Sequence, residues 1–246
     1  MRKTTRWASA LAVTAITALA GWGAAPAQAD RRPPVVVELF TSQGCYSCPP
    51  AEAYLRDLAV QDGIVALEFH VDYWDGLTYM WHGSWKDPFS SPTHTYRQRL
   101  YNVSIRKQPG VYTPQMIIDG WQEAVGSRKA DVQAAIARAA TGPKLAVAVQ
   151  GTEAARRATI AGSHDGPAEV FLARFLKSAT TRVNAGENHD KTLMSAHVVT
   201  GLQKLGEWTG AETSFALPPG PEADAGCAVI VQAKGQGRIV GAALCP

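Results

Sequence analysis

Cys45 and Cys48, separated by two residues, are the residues whose type and spacing best indicate chemistry. An apolar stretch precedes them and a segment with helical spacing follows, so the sequence predicts that they lie at the start of a helix. That end of a helix has unpaired N–H groups and a partial positive charge, which favour a thiolate and lower the pKa of a cysteine. We expect Cys45 to be the exposed nucleophile of a thiol–disulfide exchange and Cys48 to be the resolving thiol.

The apolar pattern predicts the elements that position these cysteines. Residues 35–40 (VVVELF) are typical of a buried strand, and residues 64–71 (IVALEFHV) are typical of a second one. Between them, apolar residues at helical spacing predict a helix. Residues 115–118 and 121–125 are predicted to form two further strands joined by an Asp-Gly turn, and a helix follows. This order of elements predicts an α/β domain in the first half of the chain.

The apolar period changes after Thr141-Gly142-Pro143, a stretch typical of a domain boundary. Short runs of alternating apolar residues follow, separated by turn residues, and they predict a small β-sandwich. We therefore predict two domains, over residues 30–142 and residues 143–246.

Residues 35–140 resemble a thioredoxin fold, because a strand precedes the dithiol, a helix follows it, and a Thr-Pro pair opens a later strand. The phrases ELFTSQGCYSCPPAE, HVDYWD, WKDPFSSP, RQRLY, GVYTPQMIIDG and GENHDKTL together resemble the secreted proteins of domain-of-unknown-function family 1223. The resemblance implies a thioredoxin-like fold and export, and it implies no established substrate. The predicted fold class is an α/β thioredoxin-like domain followed by a small all-β, sandwich-like domain.

The resemblance to thioredoxin-like proteins also implies roles for residues outside the dithiol. Pro114 would be a cis-proline that packs against the dithiol and shapes the substrate groove, and Thr113 would bind the backbone of an extended substrate. Glu38, in the strand before the motif, would be a buried acid that accepts the proton of the resolving thiol. The alternation of side chains along that strand also allows Glu38 to face solvent instead.

An aromatic loop follows the second predicted strand, and we assign its Trp74 and Trp85 to substrate binding. Tyr79, Trp81 and Phe89 belong to the same loop. Amphipathic aromatic side chains are enriched at interfaces, so the loop is a candidate peptide-binding surface. The alternative is a loop packed down by its own side chains.

His70 and Asp72, at the end of the second predicted strand, lie on the same side of it, with Asp75 close by in sequence. Together with the two cysteines they suggest a site for a metal such as copper. Their spacing is unlike that of known two-cysteine copper sites, and a hydrogen-bond network at the strand end is the simpler interpretation. We therefore predict no metal and no cofactor.

Residues 1–29 have a basic start, a short apolar segment and the ending Ala-Gln-Ala, a pattern that predicts a cleaved secretory signal. The remaining chain carries equal numbers of basic and acidic side chains. Its charge therefore gives no indication of nucleic-acid binding or of a membrane surface. We predict a periplasmic or secreted protein without a membrane anchor after cleavage.

Four cysteines allow three pairings, and an oxidising compartment favours paired cysteines. The spacing favours Cys45 with Cys48 and Cys227 with Cys245, since each pair then falls within one half of the chain. We predict that the second pair is a structural disulfide. The residues Asn-His-Asp that begin at Asn188 read as a turn between strands.

The predicted function is that of an exported thiol–disulfide oxidoreductase with protein or small thiol and disulfide substrates. One alternative is a non-enzymatic thioredoxin-like envelope protein that binds a metal or a peptide. A purely structural envelope protein is the other.

Overall fold

The fold is organised around a mixed β-sheet of eight strands, in a computed structural model that describes residues 32–78, 80–220 and 225–246. Residues 32–246 form one compact unit. The predicted signal segment and Tyr79 lie outside the described residues. Within the described ranges, none of the helices combines the length and the apolar character needed to cross a membrane.

The described residues form eleven strands and three α-helices, with three short helical turns. The strands are β1 Val35–Thr41, β2 Ile64–His70, β3 Gln115–Ile118, β4 Gln122–Val125, β5 Ala146–Gln150, β6 Arg157–Ala161, β7 Ala168–Arg182, β8 Thr192–Trp208, β9 Thr213–Ala216, β10 Ala225–Ala233 and β11 Ile239–Leu244. The α-helices are α1 Pro49–Ala59, α2 Pro92–Tyr101 and α3 Lys129–Ala139, and the short turns are Met80–His82, Asn102–Arg106 (a π-helical turn) and Glu153–Ala155.

The strand order in the large sheet is β11-β10-β7-β8-β2-β1-β3-β4. β1 runs parallel to β2, and β2 runs parallel to β8, where Glu68 lies opposite Val198. The other neighbouring strands of this sheet are antiparallel. β5, β6 and β9 form a separate antiparallel sheet of three strands.

The predicted fold class, an α/β thioredoxin-like domain followed by a small all-β domain, is wrong. The described residues are mostly β, and strands from both halves of the chain share one large mixed sheet. The physical reason lies in β2, whose residues are all buried. The edge of β2 away from β1 needs a hydrogen-bonding partner, and β8 supplies it from the second half of the chain.

The β7–β8 hairpin is longer than the short strands predicted for this region, with 15 and 17 residues. The last buried residue of β7 is Phe175, but pairing continues through mostly polar residues to Arg182, opposite Thr192. Apolar periodicity marks only the buried part of a strand, so the exposed outer half of the hairpin carries no such signal. The residues that connect the two strands, 183–191, are called the hairpin tip below.

Two apolar layers cover the two faces of β1 and β2. On one face Val37 packs with Leu55 of α1 and Val132 of α3. On the other face Phe40 packs with Tyr101 of α2 and with residues of β7 and β10. Side chains alternate along a strand, so this arrangement decides which layer each polar residue of β1 and β2 enters.

Candidate functional site

The dithiol turn, residues 42–48, connects β1 to α1 and carries a disulfide between Cys45 and Cys48. Cys48 is the residue immediately before the helix, which begins with two prolines. The N–H of Cys45 donates to the carbonyl of Ser42 at 3.0 Å, and the N–H of Cys48 donates to the carbonyl of Cys45 at 3.2 Å. These bonds fix the backbone of both cysteines at the start of α1.

Both cysteines are enclosed, whereas an exposed Cys45 was expected. Cys45 and Cys48 are each 0% exposed, but Tyr46 between them is 65% exposed. The turn therefore presents its two middle residues to solvent and its two sulfurs to the protein. An external thiol has no open path to either sulfur in this arrangement.

Ser47 provides a polar contact to the disulfide, with its Oγ 3.4 Å from the Sγ of Cys45. A hydroxyl donates a hydrogen bond, so it can stabilise a thiolate on Cys45 once the disulfide is reduced. The two prolines that begin α1 have no N–H to offer. Ser47 thus supplies a donor that the first helical residues lack.

Trp74 lies against the dithiol turn at Gly44. A Cβ added to Gly44 would come within 3.3 Å of the Cβ of Trp74, so a side chain at position 44 would crowd Trp74. The indole Nε1 of Trp74 donates to the Oγ1 of Thr113 at 2.8 Å. Thr113 precedes Pro114 through a cis peptide bond, and Pro114 is buried. Trp74 therefore links the dithiol turn to the start of β3.

Trp85 also contacts the dithiol turn, since its Nε1 donates to the Oε1 of Gln43 at 3.3 Å. Phe89 packs its ring edge against the ring of His70, with centroids 5.4 Å apart. Trp81, in contrast, is 90% exposed. The aromatic loop is thus divided: Trp74 and Trp85 lie at the turn and Trp81 does not pack on it.

Glu38 is buried, but the structure does not bring it to the dithiol. It is on the face of β1 opposite α1, because Val37 and Leu39 on either side of it face the helix. Its Oε1 accepts a hydrogen bond from the Nε of Arg97 at 2.8 Å, and its Oε2 accepts one from the hydroxyl of Tyr101 at 2.5 Å. Glu38 therefore joins β1 to α2.

A buried group of polar side chains lies on the α1 side of β1 and β2, and we call it the His70 cluster: Thr41, Glu52, Glu68, His70 and Asp87. The Nδ1 of His70 is 2.7 Å from the Oδ2 of Asp87, and its Nε2 is 3.0 Å from the Oε1 of Glu68. Asp87 also accepts a hydrogen bond from the N–H of Gln43 at 2.7 Å. The cluster is thereby connected to the dithiol turn.

The charges of His70 and Asp87 reinforce each other. Burial alone lowers the pKa of His70, but the charge and hydrogen bond of Asp87, aided by Glu68, outweigh burial and raise this pKa well above its usual value. Burial likewise raises the pKa of Asp87, yet the charge and hydrogen bond of His70 lower it overall. At neutral pH, His70 is therefore a buried cation beside the Asp87 carboxylate.

Glu52 of α1 completes the His70 cluster. Its Oε1 accepts a hydrogen bond from the hydroxyl of Thr41 at 2.7 Å. Burial, followed by the charge of Glu68, raises the pKa of Glu52 to about 8, so its carboxyl group is mostly protonated at pH 7. Glu52 follows Cys48 by four residues, which places the two side chains on one helix face, one turn apart.

The residues of the predicted metal alternative do not converge. Both ring nitrogens of His70 are engaged by carboxylates. Asp72 accepts a hydrogen bond from Thr95 at 2.5 Å, and Asp75 pairs with Lys86 at 2.6 Å. Across the part of the chain that the structure describes, no group of three or more His, Cys, Asp or Glu side chains is arranged to hold a metal ion.

The hairpin tip forms the outer cover of the dithiol turn. The Nδ2 of Asn188 donates to the carbonyls of Gln43 and Cys45, both at 2.9 Å. The N–H of Tyr46 donates to the Oε2 of Glu187 at 2.8 Å. Asn188 is itself 0% exposed. Residues more than 140 positions away in sequence therefore hold the backbone on both sides of Cys45.

A family model for a protein of unknown function, DUF1223, matches residues 36–232. The chain belongs to the DUF1223 family. This membership confirms the family resemblance that the sequence phrases predicted. No curated protein matches the DUF1223 chain.

Two solved structures are similar to the DUF1223 chain. A protein from Agrobacterium tumefaciens with a known crystal structure is 33% identical in sequence to this chain. The match has a TM-score of 0.74 and covers 88% of this chain and 96% of that one. HBP35 of Porphyromonas gingivalis is 13% identical, with a TM-score of 0.52, over 87% of this chain and 75% of that one. The second likeness concerns the fold alone.

The second disulfide of the DUF1223 chain, Cys227–Cys245, joins β10 to the residue after β11. The N–H of Cys245 donates to the carbonyl of Cys227 at 2.8 Å, so the bond links neighbouring antiparallel strands. Both cysteines belong to an apolar cluster with Val229 and Trp208. The nearby polar group is the guanidinium of Arg156, whose Nη1 is 3.9 Å from the Sγ of Cys227.

Several residues at the dithiol turn and in the His70 cluster of this DUF1223 chain were not predicted as site residues: Glu52, Glu68, Asp87 and Asn188. The position of Glu52 near Cys48 could have been predicted, because Glu52 follows Cys48 by one turn on a helix that the apolar spacing indicates. Glu68 and His70 are two residues apart on a predicted strand, so their position on the same strand face could also have been predicted. Asp87 and Asn188 reach the turn from loops, and no periodicity indicates where a loop side chain points.

Proposed function

We propose that the chain is a thiol–disulfide oxidoreductase that acts through Cys45 and Cys48. The observation that carries the proposal is a disulfide at the start of α1 with a protonatable, buried carboxyl group one helical turn away, that of Glu52. Exchange at a disulfide needs a sulfur that can be attacked, a sulfur that can leave and a group that handles the proton of the leaving thiolate.

The reaction proceeds in two steps when the protein acts as the oxidant. A thiolate of the substrate attacks the Sγ of Cys45, the Cys45–Cys48 bond breaks, and Cys48 leaves as a thiolate that takes a proton from Glu52. A second substrate thiolate then attacks the substrate sulfur of the mixed disulfide, and Cys45 leaves as a thiolate. The substrate dithiol becomes a disulfide and the protein gains two electrons. The two protons that the substrate thiols released to solvent as they ionised return to the Glu52 carboxylate and to the Cys45 thiolate. Reduction of a substrate disulfide follows the reverse path.

Other residues assist the exchange through the two sulfurs. The hydroxyl of Ser47 donates to the Cys45 thiolate when it forms. The His70 cation, bound to Asp87, holds a positive charge behind the turn. We assign Trp74, Thr113, Pro114 and Trp85 to the surface that binds the substrate backbone. The proposed exchange uses the two sulfurs and their protons, so it needs no metal and no other cofactor.

The proposal includes export to an oxidising compartment, the periplasm or the extracellular space. Two disulfides in one chain are typical of such a compartment and rare in the cytosol. The substrates are protein thiols and disulfides, or small ones, that meet the chain there.

The test is to trap the mixed disulfide and to measure the reduction potential of the first pair. Cys48→Ser, incubated with an oxidised small-molecule disulfide, is expected to form a stable adduct on Cys45, and Cys45→Ser is expected to form less. The matched control is Cys245→Ser, which leaves Cys227 as an equivalent single thiol elsewhere. Adduct formation by the control at the same rate, or a couple that does not equilibrate with glutathione, would contradict the proposed function.

A further inference from the structure

We propose that the hairpin tip is a lid over the dithiol, held closed by Asn188, and that it opens before a thiol or disulfide reacts with Cys45. This inference rests on the proposed function, since a lid is meaningful only if the dithiol reacts. It adds the element that controls access, which belongs to the second half of the chain. The control of access then lies outside the strand, turn and helix that carry the cysteines.

The closed position leaves no route for the attacking sulfur. Thiol–disulfide exchange requires that a thiolate reach one sulfur of the disulfide directly. Both cysteines are 0% exposed. The Nδ2 of Asn188 donates a hydrogen bond to the carbonyl of Cys45 at 2.9 Å, and the Oε2 of Glu187 accepts one from the N–H of Tyr46 at 2.8 Å. A reacting partner must therefore displace the hairpin tip.

The hairpin tip keeps its shape without the dithiol turn. The N–H of Asp190 donates to the carbonyl of Val183, and the N–H of Val183 donates to the carbonyl of Lys191, both at 2.9 Å. The Nζ of Lys191 also donates to the Oδ1 of Asn188 at 2.9 Å. Because these bonds lie within the tip, it can separate from the dithiol turn as a unit.

Polar contacts that are replaceable hold the tip against the turn and the aromatic loop. Besides the bonds of Asn188 and Glu187, the N–H of Gly186 donates to the carbonyl of His82 at 3.0 Å, and the ring of His189 stacks on that of His82 at 4.7 Å. Water or the backbone of a bound substrate can take over hydrogen bonds of this kind at small net cost. The opened tip also frees the carbonyl of Cys45 and the N–H of Tyr46 for a substrate.

The test compares how fast dithiothreitol reduces each disulfide in oxidised protein. Asn188→Ala removes two hydrogen bonds to the turn and is expected to speed reduction of Cys45–Cys48 about tenfold. Differential alkylation and mass spectrometry follow Cys227–Cys245 in the same sample, and its rate is expected to stay unchanged. The second disulfide thereby reports any general loss of structure.

Two further variants in the tip give matched comparisons. Asp190→Asn removes a charge from the tip and keeps a side-chain oxygen for the contacts with Arg182 and His189. Asparagine also tolerates the positive φ of 65° at this position, so no change in rate is expected. Glu187→Ala removes the single bond to Tyr46 and is expected to speed reduction about threefold. Glu187 is only half-buried, so this variant tests the lid even if Asn188→Ala fails to fold.

Equal rates for wild type, Asn188→Ala and Glu187→Ala would overturn the lid, as would equal acceleration of both disulfides by either variant. The failure of the proposed function gives a different result. If the proposed function is wrong but the tip does cover the dithiol, Asn188→Ala and Glu187→Ala still speed reduction of Cys45–Cys48, but Cys48→Ser captures no disulfide partner. If the lid is wrong but the proposed function is right, Cys48→Ser captures a disulfide partner efficiently, and dithiothreitol reduces Cys45–Cys48 in the wild type as fast as in the variants.

Discussion

The two disulfides differ in how deeply they are buried and in what surrounds them. Cys45–Cys48 closes a turn at the start of a helix, with a serine hydroxyl at 3.4 Å and the His70 cluster behind it. Cys227–Cys245 joins two neighbouring antiparallel strands inside an apolar cluster. The first pair is therefore next to groups that can bind charge and exchange protons. The second pair lies among apolar side chains and beside the Arg156 guanidinium, which donates but does not exchange protons.

The difference teaches that the proposed redox site is distinguished by the polar groups around its sulfurs and not by exposure, since Cys45 and Cys48 are more deeply buried than Cys245. Thiolate chemistry needs donors, charge and a proton carrier near the sulfur. The chain provides all three at the first disulfide, through Ser47, His70 and Glu52. The second disulfide joins residues 18 positions apart, which lowers the conformational entropy of the unfolded chain and so stabilises the folded state.

The largest expected effect comes from removing each disulfide in turn. Replacing Cys45 and Cys48 with serine is expected to abolish thiol–disulfide exchange. Replacing Cys227 and Cys245 with serine is expected to leave exchange within about twofold, because the sites are independent, and to lower the free energy of unfolding by about 3 kcal/mol. Exchange assays and urea denaturation measure the two quantities. Equal loss of exchange in both variants would remove the distinction between the disulfides.

The second prediction concerns the charge behind the first disulfide. His70→Asn leaves Asp87 and Glu68 buried without their cation, and the free energy of unfolding is expected to fall by about 3–5 kcal/mol. Arg156→Ala is the comparison at the second disulfide, where the loss of a hydrogen bond to the Pro246 carbonyl is expected to cost about 1 kcal/mol.

Urea denaturation at pH 7 measures both variants. Similar losses for the two would mean that the His70 cluster contributes no more than an ordinary surface contact. A large loss for His70→Asn with exchange retained would assign the cluster to stability alone.

Part of this comparison was predictable from the sequence. The dithiol, both cysteine pairings and the β1–α1–β2 order follow from spacing and apolar pattern, because these are local properties of the chain. The position of Glu52 one helical turn after Cys48 could also be predicted, but the role of the buried acid beside the resolving thiol was assigned to Glu38. The alternation along β1 directs Glu38 away from α1, towards Arg97.

The rest depends on contacts between distant parts of the chain. The pairing of β2 with β8 has one residue pair in register, Glu68 and Val198, and no local pattern specifies it. Without that pairing, the second half looks like an independent β domain. The cover over Cys45 has the same origin, since Asn188 reaches the turn only because β7 and β8 extend past the apolar part of their sequence.

The third prediction is a pH dependence of stability that Glu52 adds beside the first disulfide. Its pKa is about 8 in the folded chain against a usual value near 4.5, so the folded state holds a proton that the unfolded state has lost. The contribution of Glu52 to stability is therefore complete below about pH 4.5 and decreases as the pH rises through 8. The slope is at most about 1.4 kcal/mol per pH unit between these values.

Glu52→Gln removes this titration, so the stability of the variant relative to wild type is expected to increase from pH 5 to pH 8. His70 adds a slope of the same sign, because its pKa is also raised, and it remains in the variant. The difference between the two proteins therefore reports the titration of Glu52 and its coupling to His70. Urea denaturation at each pH measures it, with Glu212→Gln as the control at an exposed carboxylate. A difference that stays constant across this range would mean that Glu52 is ionised at neutral pH, and Cys48 would then need another proton donor.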